Sequence, residues 1–388
     1  MNERQRAAQL LDRIERESLY ASLVLLEESG FVRTLVLGVL RWRSQLDWTI
    51  ATLAKRSVLK LDRSVLTILR LGLCQIQHMN VPPHAAVSET VDLAPQRARG
   101  FVNAILRAAL RGAPRPEDLA TRTAHPKWLI DRWSARYGAE RAAKIAGANQ
   151  ELSYPDVLAL TEEAPPEAEK SQLVDSLWKL HGSSAELDRA RFHPMDEGSA
   201  VIAAIARACG EEVLDLAAAP GGKSLYMQHQ GARVISNDVS IGRLRQLQGR
   251  TRVVVSDGRF GAFRRPVEVV LLDAPCSATG TIRKNPEIKW RLREADLAAF
   301  AKLQRELLAS AMQLAAKYVV YSTCSLEGEE NDAIVAGCDD ASVAGYERAD
   351  AADFVPEGAK QWVEDGVLRL TPESGADGFT AFVLKKLR

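Results

Sequence analysis

Two cysteines of the chain stand where a thiol can take part in chemistry. Each follows a short apolar run and begins a polar loop, Cys276 in Asp-Ala-Pro-Cys-Ser and Cys324 in Ser-Thr-Cys-Ser. A helix that starts at Ser325 would favour the thiolate form of Cys324, because a helix N-terminus stabilises negative charge. Free cysteine is more often a small buried apolar residue. We assign the remaining cysteines to that role: Cys74, Cys209 and Cys338.

A second segment has the composition of a ligand-binding turn. It reads Leu216-Ala-Ala-Ala-Pro-Gly-Gly-Lys223 and leads from a predicted strand into a helix expected to begin near Gly222. Small residues let the backbone approach a ligand closely, and a helix N-terminus favours a carboxylate or a phosphate. Together with Ser224, the segment reads Gly-Lys-Ser at its end, as a nucleoside triphosphate-binding loop does, but that motif requires glycine where Ala217 stands. A tight turn without a ligand is the alternative.

Acidic residues at the ends of neighbouring strands favour a ligand. Asp238 lies 23 residues after Asp215, a spacing that suits hydrogen bonds to two ribose hydroxyls. Asp257, after the next strand, is placed to accept from an adenine amino group. A single carboxylate at a strand end is usually a helix cap. Three of them, Asp215, Asp238 and Asp257, at the same edge of the predicted sheet indicate a pocket for an adenosyl group. We predict S-adenosylmethionine as the cofactor, held by the loop Ala217, Ala218, Ala219, Pro220, Gly221, Gly222 and Lys223 with Asp238 and Asp257.

A methyl donor beside thiols predicts one particular reaction, the methylation of a cytosine carbon. Cytosine C5 is too electron-poor to accept a methyl group directly, whereas a thiolate bound to C6 makes C5 enamine-like. Asp273 is the natural group to protonate or hydrogen-bond N3, and a base must then remove the C5 proton. The residues alone do not show whether Cys276 or Cys324 is the nucleophile.

A parallel sheet is needed to position these residues. Apolar runs predict strands at 212–216, 233–237, 252–256, 267–272 and 318–322, and helical patterns separate several of them, the longest at 294–317. Such alternation indicates βαβ units with helices on both faces of the sheet. Ligands bind beyond the C-terminal ends of such strands, which is where the residues above occur.

The first third of the chain is predicted to be entirely helical. Apolar residues recur at helical spacing through 7–14 and 32–40, and further helices are expected at 84–93 and 100–111. The segment 143–190 is rich in Glu, Ala and Pro and shows no periodicity. The predicted domains are therefore 1–142, a connector or reduced subdomain at 143–190, and 191–388.

Charge is distributed unevenly between these parts. Residues 1–130 hold 19 Lys and Arg against 12 Asp and Glu, a net charge of +7, while the remainder carries −6. A basic N-terminal third is compatible with a nucleic-acid partner, although charged faces are usually only solvated. No apolar run approaches the roughly 20 residues of a membrane span, and residues 1–10 lack a secretory signal. We expect a cytoplasmic protein that does not bind membranes.

The five cysteines are widely spaced and form no Cys-x-x-Cys pair. This pattern argues against a disulfide framework and against a structural zinc site. We therefore predict no metal, and a thiolate role for any cysteine that takes part in function.

These motifs resemble the signatures of the Nol1/Nop2/Sun family of RNA cytosine-C5 methyltransferases. The similarity lies in Asp273-Ala-Pro-Cys276, Ser322-Thr-Cys-Ser325 and the loop 216–223. Segments 81–91 and 100–107 resemble one bacterial branch, the Sun/Fmu (RsmB) enzymes. The resemblance implies an N-terminal all-α NusB-like RNA-binding domain joined to a C-terminal α/β Rossmann-like methyltransferase domain. It also implies cofactor contacts from the loop 217–223, Asp238, Asp257 and Asp273, and action on 16S rRNA. We further expect a monomer, and a substrate that is either naked rRNA or a partly assembled small subunit.

The resemblance further implies roles for the two cysteines. In the family the Thr-Cys cysteine, here Cys324, is the nucleophile, and the Pro-Cys cysteine, here Cys276, assists release of the methylated product. The chain departs from the family at Ala217, usually Cys, and at Thr380, commonly Phe. Segment 151–190 also lacks the Leu-Arg-Val-Asn-like strand that usually follows the first domain, so a small RNA-contacting subdomain is expected to be reduced.

Two other functions remain as alternatives. A methyltransferase acting on nitrogen typically presents Asn/Asp-Pro-Pro-aromatic after its fourth strand, where this chain has Asp273-Ala-Pro-Cys276. A non-catalytic NusB-like RNA-binding assembly factor is expected to lose Cys324 or Asp273, and both are present.

Overall fold

The computed structural model describes residues 2–182, 187–260, 262–336 and 345–387. Cys338, predicted to be a buried apolar residue, lies outside this range. The chain forms two compact units, which we call the helical unit (Met1–Glu151 with Ile282–Leu292) and the sheet unit (Leu152–Thr281 with Arg293–Arg388). None of the described helices combines the length and apolar character that a membrane span requires.

Helices dominate the first unit, as predicted, and α1–α9 and α12 belong to it. Pro83 begins α5, where its fixed φ angle suits the first helical turn. The α-helices of the described residues are α1 Glu3–Glu17, α2 Ala21–Val24, α3 Gly30–Ala54, α4 Arg63–His78, α5 Pro83–Asp92, α6 Arg99–Gly112, α7 Leu119–Arg122, α8 Lys127–Tyr137, α9 Ala139–Ala148, α10 Glu197–Cys209, α11 Gly222–His229, α12 Ile288–Arg291, α13 Leu297–Leu314 and α14 Asp332–Val335.

The core of the helical unit is built from the apolar stripes predicted at 7–14 and 32–40. Both stripes are buried, on α1 and α3 respectively. Asn2 and Ser29 cap these helices by accepting hydrogen bonds from backbone N–H groups of the first turn. Gly72 on α4 permits close packing against α6, because a Cβ at this position would lie 2.7 Å from a methyl carbon of Leu106.

The segment Ile282–Leu292 follows the Cys276 loop in sequence but folds as part of the helical unit. Lys289 donates to the backbone oxygen of Arg41 at 2.7 Å, and the Trp290 indole donates to the backbone oxygen of Leu40 at 2.6 Å. The carboxylate of Glu287 accepts from the backbone N–H of Ala21 at 2.9 Å. These bonds fix the segment against α2 and α3.

A small antiparallel sheet occupies the region for which we expected a connector. Its strands pair in the order β2-β3-β1-β4. They are β1 Asp156–Ala159, β2 Ala168–Lys170, β3 Leu177–Leu180 and β4 Phe192–Pro194. The expectation that this region lacks a strand after the first domain is therefore wrong. The strands are three or four residues long, too short to show a periodicity. The predicted boundary at 142 also falls inside α9, which continues to Ala148.

The large sheet of the second unit contains all five strands predicted from the sequence. Its order is β11-β12-β13-β9-β8-β5-β6-β7, with β10 paired to β13. The strands from β5 to β9 are parallel and the remainder antiparallel. They are β5 Glu212–Asp215, β6 Arg233–Asp238, β7 Arg252–Val255, β8 Val267–Asp273, β9 Ala315–Thr323, β10 Tyr346–Ala349, β11 Val363–Glu364, β12 Val367–Leu370 and β13 Phe379–Lys386.

Both faces of the central strands are buried, which explains their continuous apolar sequences. On β8, Val269 and Leu271 face the layer that contains α10, whereas Val270 and Leu272 face the layer that contains α13. The strand order reverses at β5, since β6 and β7 lie on one side of it and β8 and β9 on the other. Ligands of open α/β sheets bind at such a reversal.

Replacing Leu69 on α4 with alanine is expected to lower the free energy of unfolding by about 2–5 kcal/mol, because the cavity left by a fully buried leucine is not refilled. Leu69 is 0% exposed, whereas Leu59 is 92% exposed and serves as the matched control. Urea unfolding followed by circular dichroism checks the difference. Equal destabilisation by Leu69→Ala and Leu59→Ala would contradict this account of the core.

Candidate active site

The carboxyl ends of β5, β6, β8 and β9 carry most of the predicted site residues. In the register of β8 and β9, Asp273 lies opposite Ser322. The Ser322 hydroxyl donates to Asp273 Oδ1 at 2.9 Å, and the backbone N–H of Ala274 donates to the Ser322 carbonyl at 2.8 Å. These bonds hold the loops that follow the two strands side by side.

The two predicted reactive cysteines meet at this edge. Cys276 and Cys324 are 48 residues apart in sequence, yet their Sγ atoms lie 3.3 Å apart. Both are half-buried. The hydrogen bond to Cys324 raises the pKa of the Cys276 thiol well above its usual range, and burial adds to the effect. Cys276 therefore retains its proton at neutral pH.

The other described cysteines are buried, as predicted. Cys74 and Cys209 lie in the cores of the helical and sheet units respectively. Burial raises the pKa of Cys74 to about 12, so this thiol stays protonated.

The expected helix at Ser325 is absent, and this prediction is wrong. Residues 324–327 form a loop, followed by a 3-10 turn at Gly328–Glu330 and the four-residue helix α14. The Asn331 amide donates to the carbonyls of Ser325 and Glu327, each at 2.9 Å, and accepts from the Thr323 hydroxyl at 2.6 Å. Polar side chains that bond nearby backbone groups compete with helix formation. No helix N-terminus therefore lies at Cys324.

Lys223 lies against Asp273 at this corner of the site. Its Nζ atom is 2.6 Å from Asp273 Oδ2, and the two side chains are 13% and 25% exposed. Burial lowers the pKa of Lys223, but the charge and hydrogen bond of Asp273 outweigh burial, and the pKa is raised overall. The pair thus places an ammonium group and a carboxylate at the edge of the sheet where Cys276 and Cys324 lie.

The loop after β5 is held by β6. Its Ala218 N–H donates to the Asn237 carbonyl at 2.7 Å, and its Ala219 N–H donates to Asp238 Oδ2 at 3.2 Å. The Ala219–Pro220 peptide is cis, and α11 begins at Gly222 as expected. Gly221 has a φ angle of +118°, and a Cβ there would lie 2.7 Å from Leu247. Only glycine fits this position without strain.

The buried acidic groups fit an adenosyl ligand. Asp238 is 5% exposed and accepts backbone N–H groups from Ala219 and Ser240. A carboxylate offers about four acceptor positions, so acceptor capacity remains for two ribose hydroxyls. Burial raises the pKa of Asp215 to about 7, against the opposing hydrogen bond from Ser224. The second oxygen of Asp215 is buried and has no hydrogen-bond partner in the described part of the chain.

Asp257 follows β7 at the same edge but is already paired. Its carboxylate lies 2.7 Å from Arg259, which also contacts Glu306 at 3.1 Å. An adenine amino group would share this carboxylate with the guanidinium. The assignment of Asp257 to the cofactor stays a prediction.

Sequence reasoning missed one buried group next to the cysteine loops, Glu330. It is bonded to Ser277 and Ser325, the residues that directly follow the two cysteines. The repeated Cys-Ser pair was the available signal, since a hydroxyl at the same position of both loops can bind one acceptor. In the described residues, no group of three or more His, Cys, Asp or Glu side chains is arranged to hold a metal.

Comparisons with known proteins agree with this architecture. A family model for the 16S rRNA methyltransferase RsmB/F matches residues 202–385, and the NusB family model matches residues 1–111. The ribosomal RNA small subunit methyltransferase B of Sodalis glossinidius (strain morsitans) is 32% identical over 380 residues, covering 85% of this chain and 86% of the relative. The protein of the same name from Shigella flexneri is 32% identical over 363 residues, covering 79% and 80%.

Solved structures share the fold. PH0851 aligns with a TM-score of 0.73 at 23% identity, covering 97% of this chain and 94% of that protein. NSun6 from Pyrococcus horikoshii, solved with SFG, aligns with a TM-score of 0.57 at 18% identity, covering 69% of this chain and 99% of that protein. With relatives about a third identical over most of both sequences, the chain belongs to the RsmB/F family of 16S rRNA methyltransferases, and it is an S-adenosylmethionine-dependent RNA methyltransferase with an N-terminal NusB-family domain.

Proposed function

We propose that this enzyme methylates C5 of a cytosine in 16S rRNA through a covalent bond between a cysteine sulfur and C6. The observation that carries the proposal is the 3.3 Å separation of the Cys276 and Cys324 sulfurs beside Asp273. C5 methylation requires a nucleophile, a proton carrier and a group that stabilises charge at N3. Methyl transfer to nitrogen needs no thiol, so it would leave this pair without a role.

Cys324 is the nucleophile in this proposal, and Cys276 assists release. The hydrogen bond to Cys324 raises the pKa of the Cys276 thiol, so Cys276 keeps its proton at neutral pH and does not attack C6 as a thiolate. When the C6–S bond breaks, Cys276 gives its proton to the departing Cys324 sulfur and takes up the proton lost from C5. The electron pair of the C5–H bond re-forms the C5–C6 double bond, and both thiols end protonated. The identical roles in the family that the motifs resemble support the assignment.

Asp273 and Lys223 act together at the N3 side of the base. Attack at C6 places negative charge on the N3 side of the ring, and a buried ammonium–carboxylate pair can stabilise it and supply a hydrogen bond. The 2.6 Å contact between Lys223 and Asp273 orients both groups before the cytosine binds. Preorganised charge in a partly buried site is worth more than the same charge in water.

The cofactor supplies an electrophilic methyl group, and we assign its binding to the loop after β5 and to the neighbouring carboxylates. Asp238 would hold the ribose, Asp257 the adenine amino group, and the loop backbone the methionine portion. Asp273 would complete the set of contacts. The complete set is Ala217, Ala218, Ala219, Pro220, Gly221, Gly222, Lys223, Asp238, Asp257 and Asp273.

The substrate is unpaired RNA, either naked 16S rRNA or a partly assembled small subunit in the cytoplasm. Half-buried cysteines can reach C6 only of a base that has left its stack, and unstacking costs least in single-stranded RNA. The basic N-terminal part of the chain, with its net charge of +7 over residues 1–130, supplies affinity for the RNA backbone.

Asp238→Ala is expected to weaken S-adenosylmethionine binding by about ten- to hundredfold, since hydrogen bonds to a charged group contribute about 1.5–3 kcal/mol. Isothermal titration calorimetry measures this change. Asp62→Ala, which removes a surface carboxylate of the helical unit, is the control and should bind normally. If the protein binds ATP tightly and does not bind S-adenosylmethionine, the cofactor assignment is refuted.

The two cysteines are expected to give opposite results when each is replaced with alanine. Cys324→Ala cannot form the C6 bond, so methyl transfer should be lost while RNA and cofactor still bind. Cys276→Ala should methylate once and remain attached to RNA through Cys324. A denaturing gel with labelled RNA and S-adenosylmethionine should show a retarded band for Cys276→Ala alone.

The double substitution Cys276→Ala/Cys324→Ala is the control and should give no band. A band with Cys324→Ala instead would mean that the roles are exchanged. Methylation intact in both single variants would exclude covalent catalysis and favour transfer to nitrogen.

Exposed arginines near the end of α6 are expected to contribute to RNA affinity. Changing Arg107, Arg111 and Arg115 to glutamine should reduce the slope of log affinity against log salt by roughly 2–3, since each phosphate contact contributes about 0.7–0.9. Filter binding over a range of salt concentrations measures the slope. The same change at the exposed Arg348, Lys360 and Lys385 of the sheet unit is the control. Equal slopes for both triple variants would count against RNA binding by α6.

A further inference from the structure

Next to the two cysteine loops lies a buried carboxylate that the proposed chemistry does not use. Glu330 ends the 3-10 turn between β9 and α14 and is 0% exposed. An ionised side chain is rarely buried unless its hydrogen-bonding capacity is met. Its partners therefore show what the carboxylate holds in place.

The four donors to Glu330 come from both cysteine loops and from α13. Oε1 accepts from the Ser277 backbone N–H at 2.8 Å and from the Gln304 amide at 3.0 Å. Oε2 accepts from the Ser325 hydroxyl at 2.5 Å and from the Ser277 hydroxyl. Ser277 directly follows Cys276, and Ser325 directly follows Cys324. One carboxylate is therefore bonded to the residue after each cysteine.

Further bonds make the two loops a single structure. The serine hydroxyls lie 3.0 Å from each other, and the Gly280 N–H donates to the Cys324 carbonyl at 2.9 Å. Gln304, already bonded to Glu330, also donates to the Pro275 carbonyl at 2.9 Å. All of these groups are linked, directly or through one neighbour, to Glu330.

Only a carboxylate can accept from all four donors at once. Each of its oxygens takes two hydrogen bonds, whereas the nitrogen of a glutamine amide can only donate. An amide at position 330 would direct N–H groups at two of the four donors. If these N–H groups faced the Ser277 backbone N–H and the Gln304 amide, donors would oppose donors. If they faced the serine hydroxyls, the hydroxyls could accept from residue 330 but could no longer donate to it. In either case two of the four donors lose residue 330 as their acceptor.

We propose that Glu330 is a positioning residue whose carboxylate sets the distance between the Cys276 and Cys324 sulfurs by bonding both loops. The inference rests on the proposed function, because that distance matters for methylation only if the two thiols act on the same base. Cys276 assists release only while it lies within reach of the adduct on Cys324. Glu330 itself touches neither the base nor the cofactor in this proposal.

Glu330→Gln, which preserves shape and removes the charge, is the test. Diamide oxidises the thiol pair to a disulfide, taking up two electrons and two protons, and the rate reports how closely the sulfurs approach. Mass spectrometry of the peptide pair that contains Cys276 and Cys324 follows this rate. For E330Q we expect disulfide formation and kcat for RNA methylation each to fall by at least about tenfold, with KM for S-adenosylmethionine unchanged within about twofold.

Glu197→Gln is the matched control. Glu197 is a buried glutamate of the same unit, 3% exposed, and is paired with Lys179 at 2.9 Å rather than with a cysteine loop. Its replacement is expected to change thermal stability without altering the disulfide rate. A general loss of stability would therefore affect both variants, whereas a loss of positioning affects E330Q alone.

A milder variant covers the case in which E330Q does not fold. Ser277→Ala with Ser325→Ala removes the two hydroxyl donors and keeps the carboxylate, and it should slow disulfide formation and methylation in the same direction. The proposal is overturned if folded E330Q forms the disulfide and methylates RNA at wild-type rates. If E330Q is unfolded, the same result with the double serine variant overturns it. If the wild-type protein fails to methylate RNA, the proposed function fails, while the disulfide rates still decide whether Glu330 positions the sulfurs.

Discussion

The parallel pairing of β8 with β9 places the chemical groups of the active site. Asp273 and Ser322 are partners in this register, and the cysteine loops begin one to three residues beyond them. A slip of one residue would turn the side chains at the end of one strand to the opposite face of the sheet. Val270 and Leu272 on β8 and Val319 and Tyr321 on β9 are buried in one layer, so the core itself prevents that slip.

Hydrogen bonds, rather than regular elements, organise the loops beyond these strands. Asn331 and Glu330 together bond to the backbone or hydroxyl groups of both cysteine loops. A buried donor left without an acceptor costs about 1–3 kcal/mol, so such a network favours one arrangement strongly when all its members are satisfied. Catalytic groups carried on loops can then be held as firmly as groups carried on strands.

The helical unit is built from two separate stretches of the chain, Met1–Glu151 and Ile282–Leu292. Lys289 and Trp290, which lie 13 and 14 residues after Cys276 in sequence, are bonded to carbonyl groups of α3. Removal of residues 1–151 would leave these donors without their acceptors and would expose the ring of Trp290. RNA binding by the helical unit is therefore better tested with surface substitutions than by deletion.

The sequence by itself determined the two-part architecture, the five parallel strands and the edge where Cys276, Cys324, Asp273 and Asp238 lie. Apolar periodicity and glycine-rich turns are local, so the residues that encode them are adjacent in the chain. Only the tertiary structure decided the sulfur–sulfur distance, the pairing of Lys223 with Asp273 and the role of Glu330. Each of these depends on a contact between segments that meet through strand pairing or loop packing. Side-chain hydrogen bonds also replaced the helix expected at Ser325. The short strands of the small sheet were missed for the same reason, since pairing with their neighbours stabilises them and their own sequence does not.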